Sequence, residues 1–256
     1  MELGIIDRVA LVTGGSRGIG LEVCKNLARE GARVIAVSRS KGLLETINVS
    51  NFNHPIELLE INLENPKSVS ELGEYLKTKG LMIDIVVNNV GGNLGITDPF
   101  CGYDEFTKVM DLNFGIAMEV NNLVIPLMRK KGWGRICHVS SISALEVQGP
   151  PSYGAAKAAI NAYVRSVSRY LAAENIILTS VMPGAIFTSG GYWDEVSKNR
   201  PEHLAKYLEE RMASQRLGKV SEIAELITFL VSEHSSFMVG SNILADGGQG
   251  RTFPDN

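Results

Sequence analysis

The chain has 256 residues, of which 45% are hydrophobic and 21% charged, and its 26 glycines are the one mild excess in an ordinary globular composition. A formal net charge of −3 creates no field that would attract nucleic acid or anionic lipid, so neither is expected as a partner. No basic segment precedes an apolar one at the N-terminus and no apolar run reaches about 18 residues, so we expect a cytoplasmic protein without a signal peptide or a membrane span.

The first half of the sequence alternates short apolar runs with helical patterns. Residues 8–13, rich in β-branched side chains, predict a first strand that ends at a glycine-rich loop. From Ile19 apolar residues recur every four positions until Gly31, which predicts a helix with a glycine stop. The next elements predicted are strands at 33–37, 56–61 and 83–87, and a helix at 66–79 with Pro66 at its start.

The second half continues the alternation. Strands are predicted at 135–140, 176–182 and 242–245, and helices at 103–131, 152–173, 201–213 and 221–232. Strands that are continuous apolar runs, each followed by a helix, are typical of a parallel sheet covered on both faces. We therefore predict an α/β fold in which residues 1–256 form a single doubly wound, Rossmann-type domain, with a parallel sheet of about seven strands.

The glycine loop after the first strand has the features of a dinucleotide phosphate site. It opens a helix, whose free N–H groups and partial positive charge suit an anion. Its spacing is G-x3-G-x-G rather than G-x-G-x-x-G, and no Lys-Ser/Thr pair follows as in a Walker-type loop. A tight connection without a ligand is the alternative. The candidate cofactor-binding residues here are Gly14, Ser16, Arg17, Gly18, Ile19 and Gly20.

The end of the second strand indicates which dinucleotide binds. An acid at this place would hydrogen-bond both hydroxyls of the adenosine ribose and select NAD. The chain has Ser38 followed by Arg39 instead, with Arg17 nearby in the glycine loop. Guanidinium groups bind phosphate through a planar fork, so the pattern predicts NADP(H); a solvated role for Arg39 is the alternative.

Tyr153 and Lys157 are the candidates for proton transfer. Their spacing of four places both side chains on one face of the predicted helix. An ammonium beside a phenol favours the phenolate, and the positive nicotinamide of an oxidised cofactor would add to this effect, so we expect the pKa of Tyr153 to lie below its ordinary value of about 10. Isolated Tyr-x-x-x-Lys pairs are nevertheless common on surface helices.

A serine at the end of the fifth strand strengthens this interpretation. Ser140 stands thirteen residues before Tyr153, and ligands bind at the C-terminal strand ends of doubly wound sheets. A hydroxyl there can donate to a substrate carbonyl oxygen and stabilise the developing alkoxide. We favour Ser140 for this role, with Ser141 and Ser143 as competing candidates.

Taken in order, these motifs resemble the classical short-chain dehydrogenase/reductase superfamily over nearly the whole chain. The likeness is greatest to bacterial 3-oxoacyl-[acyl-carrier-protein] reductases and their relatives among sugar and polyol dehydrogenases. The matching motifs are Thr13-Gly-Gly-Ser-Arg-Gly-Ile-Gly20, Asn88-Asn89-Val90-Gly91, Asn113, Ser140, Tyr153-x-x-x-Lys157, Pro183-Gly184 and Asp246-Gly-Gly248.

The resemblance implies roles for residues that spacing alone does not assign. Asn113 would complete a catalytic tetrad with Ser140, Tyr153 and Lys157 by holding a water that relays protons, and Lys157 would also bind the nicotinamide ribose. Tyr153 would protonate the carbonyl oxygen while the nicotinamide delivers hydride. The further cofactor contacts implied are Asn62 and Leu63 near the adenine, Asn89 and Gly91 near its ribose, and Pro183, Gly184, Ile186 and Thr188 near the carboxamide.

The segment 186–217 is polar and departs from the family pattern, so we expect it to cover the substrate. Its paired glycines and two aromatics suit a mobile lid. Four basic side chains could bind a carboxylate or phosphate on the substrate or could form a solvated helix face: Arg200, His203, Lys206 and Arg211.

Three functions remain open from the sequence. The first is an NADP(H)-dependent reductase of 3-oxoacyl type, for which the basic cluster at 129–131 is one candidate docking surface. The second is a sugar, polyol or sugar-phosphate dehydrogenase, and the third is a non-catalytic protein that senses NADP(H). The substrate would be a small carbonyl or alcohol.

No metal is expected, because the four histidines show no ligand spacing, and the three cysteines suggest reduced thiols. The apolar faces of the two long helices resemble the subunit-pairing helices of the family, which implies a homotetramer or, failing that, a dimer.

Overall fold

The computed structural model describes residues 2–40, 52–65 and 67–251, in which strands and helices alternate along the chain. The strands are β1 Val9–Thr13, β2 Arg33–Ser38, β3 Glu57–Glu60, β4 Ile85–Asn88, β5 Gly134–Val139, β6 Ile176–Pro183, β7 Ile186–Phe187, β8 Gly218–Lys219 and β9 Asn242–Ala245. The helices are α1 Gly18–Arg29, α2 Ser68–Thr78, α3 Tyr103–Met110, α4 Ile116–Lys131, α5 Pro151–Leu171, α6 Tyr192–Asn199, α7 Pro201–Arg211 and α8 Val220–Leu230.

Seven strands form one parallel sheet in the order β3-β2-β1-β4-β5-β6-β9. The strand order reverses direction between β1 and β4, which pair in parallel with Val12 opposite Val87. In such sheets the crevice beyond the carboxyl ends of the strands at this reversal is where ligands bind. The predicted doubly wound α/β fold with a seven-stranded parallel sheet is confirmed.

Helices cover both faces of the sheet because successive strand residues point to opposite sides. Ala10 and Val12 of β1 pack with α1 and α8 in one buried cluster. Val9 and Leu11 pack with α2, α4 and α5 in the other. Both β1 and β6 are buried along their entire length, which explains why they are continuous apolar runs in the sequence.

Several local elements differ from the sequence prediction. The predicted helix over 103–131 contains a π-helical turn, Asp111–Gly115, between α3 and α4. A helix that was not predicted, α6, lies in the substrate-covering segment, and β7 pairs with β8 in a separate two-stranded sheet. The predicted start of a helix at Pro66 lies outside the described residues, and α2 begins at Ser68.

Among the helices of the described ranges, none combines the length and the apolar character that a bilayer crossing requires. Within the same ranges, no group of three or more His, Cys, Asp or Glu side chains is placed so that it could hold a metal ion.

Candidate active site

The glycine loop forms a tight, clamped turn between β1 and α1. Gly14 has a left-handed backbone with φ +67°, and its N–H donates to the Val37 carbonyl oxygen at 2.8 Å. A Cβ at Gly20 would collide with the Gly14 carbonyl oxygen and the Asn89 amide, so the helix can approach the loop only because this position is glycine. The loop therefore brings the N-terminus of α1 to the sheet edge at the strand-order reversal.

Asn89 holds the glycine loop rather than standing free in the crevice. Its side-chain amide donates to the carbonyl oxygens of Thr13 at 3.1 Å and Gly14 at 3.2 Å. The Thr13 hydroxyl accepts the backbone N–H groups of Asn89 at 2.9 Å and Val90 at 3.2 Å. These four bonds join the ends of β1 and β4, so any ligand in the crevice meets a rigid floor.

The end of β2 has the polar groups predicted for a nucleotide phosphate. The Ser38 hydroxyl lies 2.7 Å from the Ser16 hydroxyl, which connects β2 to the glycine loop. Arg17 is exposed and has no ion-pair partner in the described part of the chain. Arg39 is 61% exposed and forms an ion pair with Glu64 at 2.8 Å. An anion that used Arg39 would therefore share or displace the Glu64 carboxylate.

Asn62 and Leu63 lie just beyond β3, beside that ion pair. The Asn62 side-chain oxygen accepts the backbone N–H of Glu64 at 3.2 Å, and Leu63 is buried with 6% exposure. Asn62 thus orders the turn that presents Glu64 to Arg39.

Asn113 lies on the π-helical turn and bridges to the loop after β4. Its amide donates to the carbonyl oxygens of Val109 and Gly92, each at 2.8 Å, and its side-chain oxygen accepts the Gly92 N–H at 3.1 Å. π-Helical turns of this kind are frequent at functional sites. A Cβ at Gly91 would lie 2.5 Å from the Asn113 oxygen and 3.0 Å from the Lys157 ammonium, so three predicted site residues meet here.

Tyr153 and Lys157 lie on the same face of α5, as the spacing predicts. The Lys157 ammonium is 5.5 Å from the centroid of the Tyr153 ring and donates to the Val139 carbonyl oxygen at 2.7 Å. Burial lowers the pKa of Lys157 to about 7.

The electrostatic expectation for Tyr153 is wrong for the protein groups alone. Burial raises the pKa of Tyr153 above its ordinary value, and a hydrogen bond with Ser141 lowers it only in part. Burial likewise disfavours the charged form of Lys157, which limits the stabilisation that its ammonium can give to a phenolate. A positive charge on a bound ligand would favour the phenolate.

The two adjacent serines after β5 face different groups. The Ser140 hydroxyl, buried with 3% exposure, donates to the Lys157 carbonyl oxygen at 3.1 Å. The Ser141 side chain hydrogen-bonds Tyr153 and lines the same cleft, and its hydroxyl also donates to Ser143 at 3.2 Å. This geometry favours Ser141 over Ser140 as the serine available to a ligand, because the Ser140 hydroxyl bonds α5 whereas Ser141 lines the cleft.

A cleft of about 930 Å³ opens at the carboxyl ends of β4, β5 and β6, with Tyr153 in its wall. Gly184 follows β6, and a Cβ there would press against Gln249 and Asp246. Thr188 lies close to the glycine loop, since a Cβ at Gly18 would be 3.5 Å from its methyl group. Pro183 ends β6, and Ile186 forms β7, so this segment runs from the glycine loop to the cleft.

Helices α6 and α7 form the outer wall of the cleft through stacked aromatic rings. The Trp193 ring lies 4.4 Å from Tyr207 and 5.0 Å from Tyr192, measured between centroids. The Tyr207 hydroxyl accepts a hydrogen bond from the Gln249 amide at 2.7 Å. Of the four basic residues considered in this segment, His203, Lys206 and Arg211 line the cleft, whereas Arg200 stacks over Tyr192 at 5.8 Å instead.

Gln249 is a site residue that the sequence analysis missed. It is 4% exposed, its amide also donates to Gln148, and its oxygen accepts the Ala185 N–H at 2.8 Å. It thereby joins the C-terminal segment, the loop before α5 and the end of β6. Its position directly after the Asp246-Gly-Gly248 motif was the available signal.

Comparison with known proteins identifies the same architecture. A family model described as Enoyl-(Acyl carrier protein) reductase matches residues 14–249. A 7α-hydroxysteroid dehydrogenase of Bacteroides fragilis is 29% identical over 248 residues, covering 94% of each chain. An acetoacetyl-CoA reductase of an Acinetobacter species is 30% identical over 249 residues, covering 94% of this chain and 97% of that one.

A solved structure of L-sorbose reductase from Gluconobacter frateurii, complexed with NADPH and L-sorbose, superposes with a TM-score of 0.90. It is 27% identical and the match covers 99% of this chain and 100% of that one. The three matched proteins are named for a steroid, a thioester and a ketose, so their common architecture serves substrates of different shape.

Proposed function

This chain belongs to the short-chain dehydrogenase/reductase family, and from that premise we propose that it interconverts a carbonyl and a secondary alcohol with NADP(H), using Tyr153 as general acid and base. The observation that carries the proposal is that Tyr153 and Ser141 line the cleft, with the Lys157 ammonium 5.5 Å from the Tyr153 ring and close to Asn113 at Gly91. A nucleotide sensor would need the glycine loop but not a hydroxyl pair aimed into a cleft.

The glycine loop and the end of β2 fit NADP(H). The glycines at 14 and 20 allow the loop and α1 to pack closely, and the N-terminus of α1 supports an anion there. Arg17 and Arg39, with Ser38 between β2 and the loop, would hold the 2′-phosphate, and no acid follows β2 to select NAD. Thr188 and Ile186 would hold the nicotinamide end. When bound, the reduced cofactor supplies the hydride.

The protein residues supply the proton and the alignment. Ser141 donates a hydrogen bond to the substrate carbonyl oxygen and holds it beside the Tyr153 hydroxyl, which protonates that oxygen as hydride reaches the carbon. In the reverse direction Tyr153 accepts the proton from the alcohol. Lys157 binds the nicotinamide ribose, and its burial lets it exchange a proton near neutral pH.

The positive charge of an oxidised nicotinamide would change the pKa of Tyr153 between the two reaction directions. Burial raises the pKa of Tyr153 in the protein alone, so the acid form is favoured when the substrate is a carbonyl. A positive ring nearby would lower that pKa and favour the phenolate when the substrate is an alcohol. The same tyrosine therefore serves both directions.

The cleft favours a hydroxylated carbonyl substrate, such as a sugar or polyol derivative, over a carrier-bound 3-oxoacyl group. Four residues with amide or hydroxyl side chains line it together with Trp193: Asn93, Thr97, Gln148 and Gln249. The basic cluster considered for carrier docking ends α4, immediately before β5 starts, so it lies at the sheet edge opposite the cleft. Two of its members are paired, Arg129 with Glu174 at 2.7 Å and Lys131 with Asp84.

The test compares wild type with Tyr153→Phe against a library of ketoses, hydroxy acids, 3-oxo thioesters and steroids, with NADPH and NADH and in both directions. We expect hydride transfer by wild type, and a loss of about 10²- to 10⁴-fold in turnover for Tyr153→Phe with NADPH binding retained. Turnover retained by Tyr153→Phe would refute the mechanism.

We further propose that the chain acts as a cytoplasmic homotetramer, with a dimer as the next candidate. Two exposed aromatic side chains, Tyr170 on α5 at 81% and Phe237 at 99%, are available to a second copy. Sedimentation equilibrium of wild type and of Phe237→Ser tests the assembly; a monomer at micromolar concentration would refute it.

A further inference from the structure

One complete face of α7 points into the active-site cleft. The cleft-lining residues of this helix fall at positions i, i+3, i+4, i+7 and i+8, which is a single helical stripe. They are His203, Lys206, Tyr207, Glu210 and Arg211. The partly buried residues of α7 are Leu204, Tyr207 and Leu208, so the helix packs through these side chains, whereas its charged residues stay exposed at the cleft.

The charges on this face are not balanced. Lys206 and Glu210 lie 3.8 Å apart as an i, i+4 pair, which leaves Arg211 without an ion-pair partner among the described residues. Glu210 is also the only carboxylate among the described residues that line the cleft. The net charge of the cleft wall is therefore positive, although the whole chain carries −3.

A short chain of contacts connects Arg211 to the reacting groups. Burial raises the pKa of the Tyr207 hydroxyl and the Arg211 guanidinium lowers it, and both residues line the cleft. The Tyr207 hydroxyl bonds Gln249, which in turn accepts the Ala185 N–H at the end of β6. Ala185 and Tyr153 line the same cleft.

We propose that Arg211, with His203 and Lys206, binds an anionic group on the substrate, so that this enzyme acts on a carbonyl compound bearing a carboxylate or a phosphate. This inference rests on the proposed function, because the carbonyl end of the substrate would bind at Tyr153 and Ser141 and its anionic end would bind at α7. A guanidinium suits both anions, since its planar fork matches two of their oxygens.

The first experiment compares matched substrates that differ only in the anion. With NADPH, wild-type kcat/KM is measured for L-sorbose against 5-keto-D-gluconate, D-fructose against D-fructose 6-phosphate, and ethyl acetoacetate against acetoacetate. We expect the anionic member of at least one pair to be preferred by about tenfold or more, as one charge-assisted hydrogen bond provides. The sugar-acid and sugar-phosphate pairs separate carboxylate from phosphate as the source of the anion.

Three variants assign that preference to the proposed residues. Arg211→Gln should reduce the anionic-to-neutral ratio about tenfold through KM, and Glu210→Gln, which removes the one carboxylate, should raise it. Lys198→Gln is the matched control. It also removes a positive charge, from the neighbouring helix α6, but Lys198 pairs with Asp194 and does not line the cleft. That control should leave the ratio within twofold of wild type. The ratio should also fall as salt is raised.

A binding measurement separates this inference from the catalytic proposal. Tyr153→Phe with bound NADP⁺ is titrated with both members of each pair, using the fluorescence of Trp193 in a Trp133→Phe background. Tighter binding of an anionic member that is lost in Arg211→Gln supports the inference even if no turnover is found, in which case the catalytic proposal alone fails. Equal binding of the two members in all three pairs, or a ratio unaffected by Arg211→Gln, overturns the inference and leaves the mechanism standing.

Discussion

The Ser140 hydroxyl donates a hydrogen bond to the backbone carbonyl oxygen of Lys157 across 3.1 Å. The bond ties the end of β5 to the first turns of α5, where Tyr153 and Lys157 lie. Ser140 thereby supports the position of the proposed proton-transfer pair on α5, while its neighbour Ser141 lines the cleft.

Alanine substitutions at the two serines should separate these roles. Ser141→Ala removes the hydroxyl that would hold the substrate oxygen, so we expect turnover to fall about 10²-fold with NADPH affinity unchanged. Ser140→Ala should instead reduce the free energy of unfolding by about 1 kcal/mol, with turnover within several-fold of wild type. Steady-state kinetics and urea unfolding measure both, and the reverse pattern would restore Ser140 as the catalytic serine.

The difference between the serines also shows what the sequence could and could not predict. Counting thirteen residues back from Tyr153 selects Ser140, but the path of the loop at 141–150 decides which hydroxyl enters the cleft, and no periodicity describes that path. The seven strands of the main sheet, in contrast, were located within one or two residues, because most of them are buried apolar runs. The short strands β7 and β8 were not predicted. Helix α6 was missed because it follows paired glycines directly and has only eight residues, too few to show a helical period.

The position of the basic cluster at 129–131 could have been predicted. In a parallel sheet a helix that precedes a strand ends at the amino edge of the sheet, opposite the ligand crevice. The order of α4 and β5 in the chain therefore already excludes the cluster from the cleft entrance.

Cofactor selection should respond to both partners of the Arg39–Glu64 ion pair. Arg39→Asp is expected to reverse the preference for NADPH over NADH, because it removes the phosphate ligand and adds an acid near the ribose. Glu64→Gln is expected to tighten NADPH binding several-fold with little effect on NADH binding, since it removes the carboxylate that forms an ion pair with Arg39 at 2.8 Å. Isothermal titration gives the dissociation constants of NADPH and NADH for each variant. An unchanged ratio of the two constants in Arg39→Asp would contradict the assignment of Arg39 to the 2′-phosphate.

A methyl group at Gly91 should impair the site locally. Its Cβ would lie 2.5 Å from the Asn113 oxygen and 3.0 Å from the Lys157 ammonium, so at least one must move. We expect Gly91→Ala to lower kcat tenfold or more and to cost about 1–3 kcal/mol of stability. Gly102→Ala is the matched control, because φ there is −63° and nothing lies within 4 Å of the new methyl group. Equal kcat values for Gly91→Ala and Gly102→Ala would show that Asn113 and Lys157 can accommodate the methyl group without loss of activity.

The buried Lys157 should make stability depend on pH in a defined direction. Its pKa falls from 10.5 to about 7 on folding, so between those values the unfolded chain binds more protons and stability rises with pH. From pH 7 to 9 this amounts to about 1–3 kcal/mol. Urea unfolding of wild type and Lys157→Met without added nucleotide isolates the effect, since the difference between them should grow in favour of wild type as pH rises. Parallel pH curves would mean that Lys157 stays charged in the fold.

The C-terminal segment is far from Tyr153 in sequence, but the buried amide of Gln249 connects it to the walls of the cleft. One side chain holds the aromatic wall of α7 and the end of β6 at fixed separation. Exchanging a few residues near this position would widen or narrow the mouth of the site while the proton-transfer groups keep their places. Substitutions in the C-terminal segment would then change the substrate preference and leave the proposed hydride-transfer reaction intact.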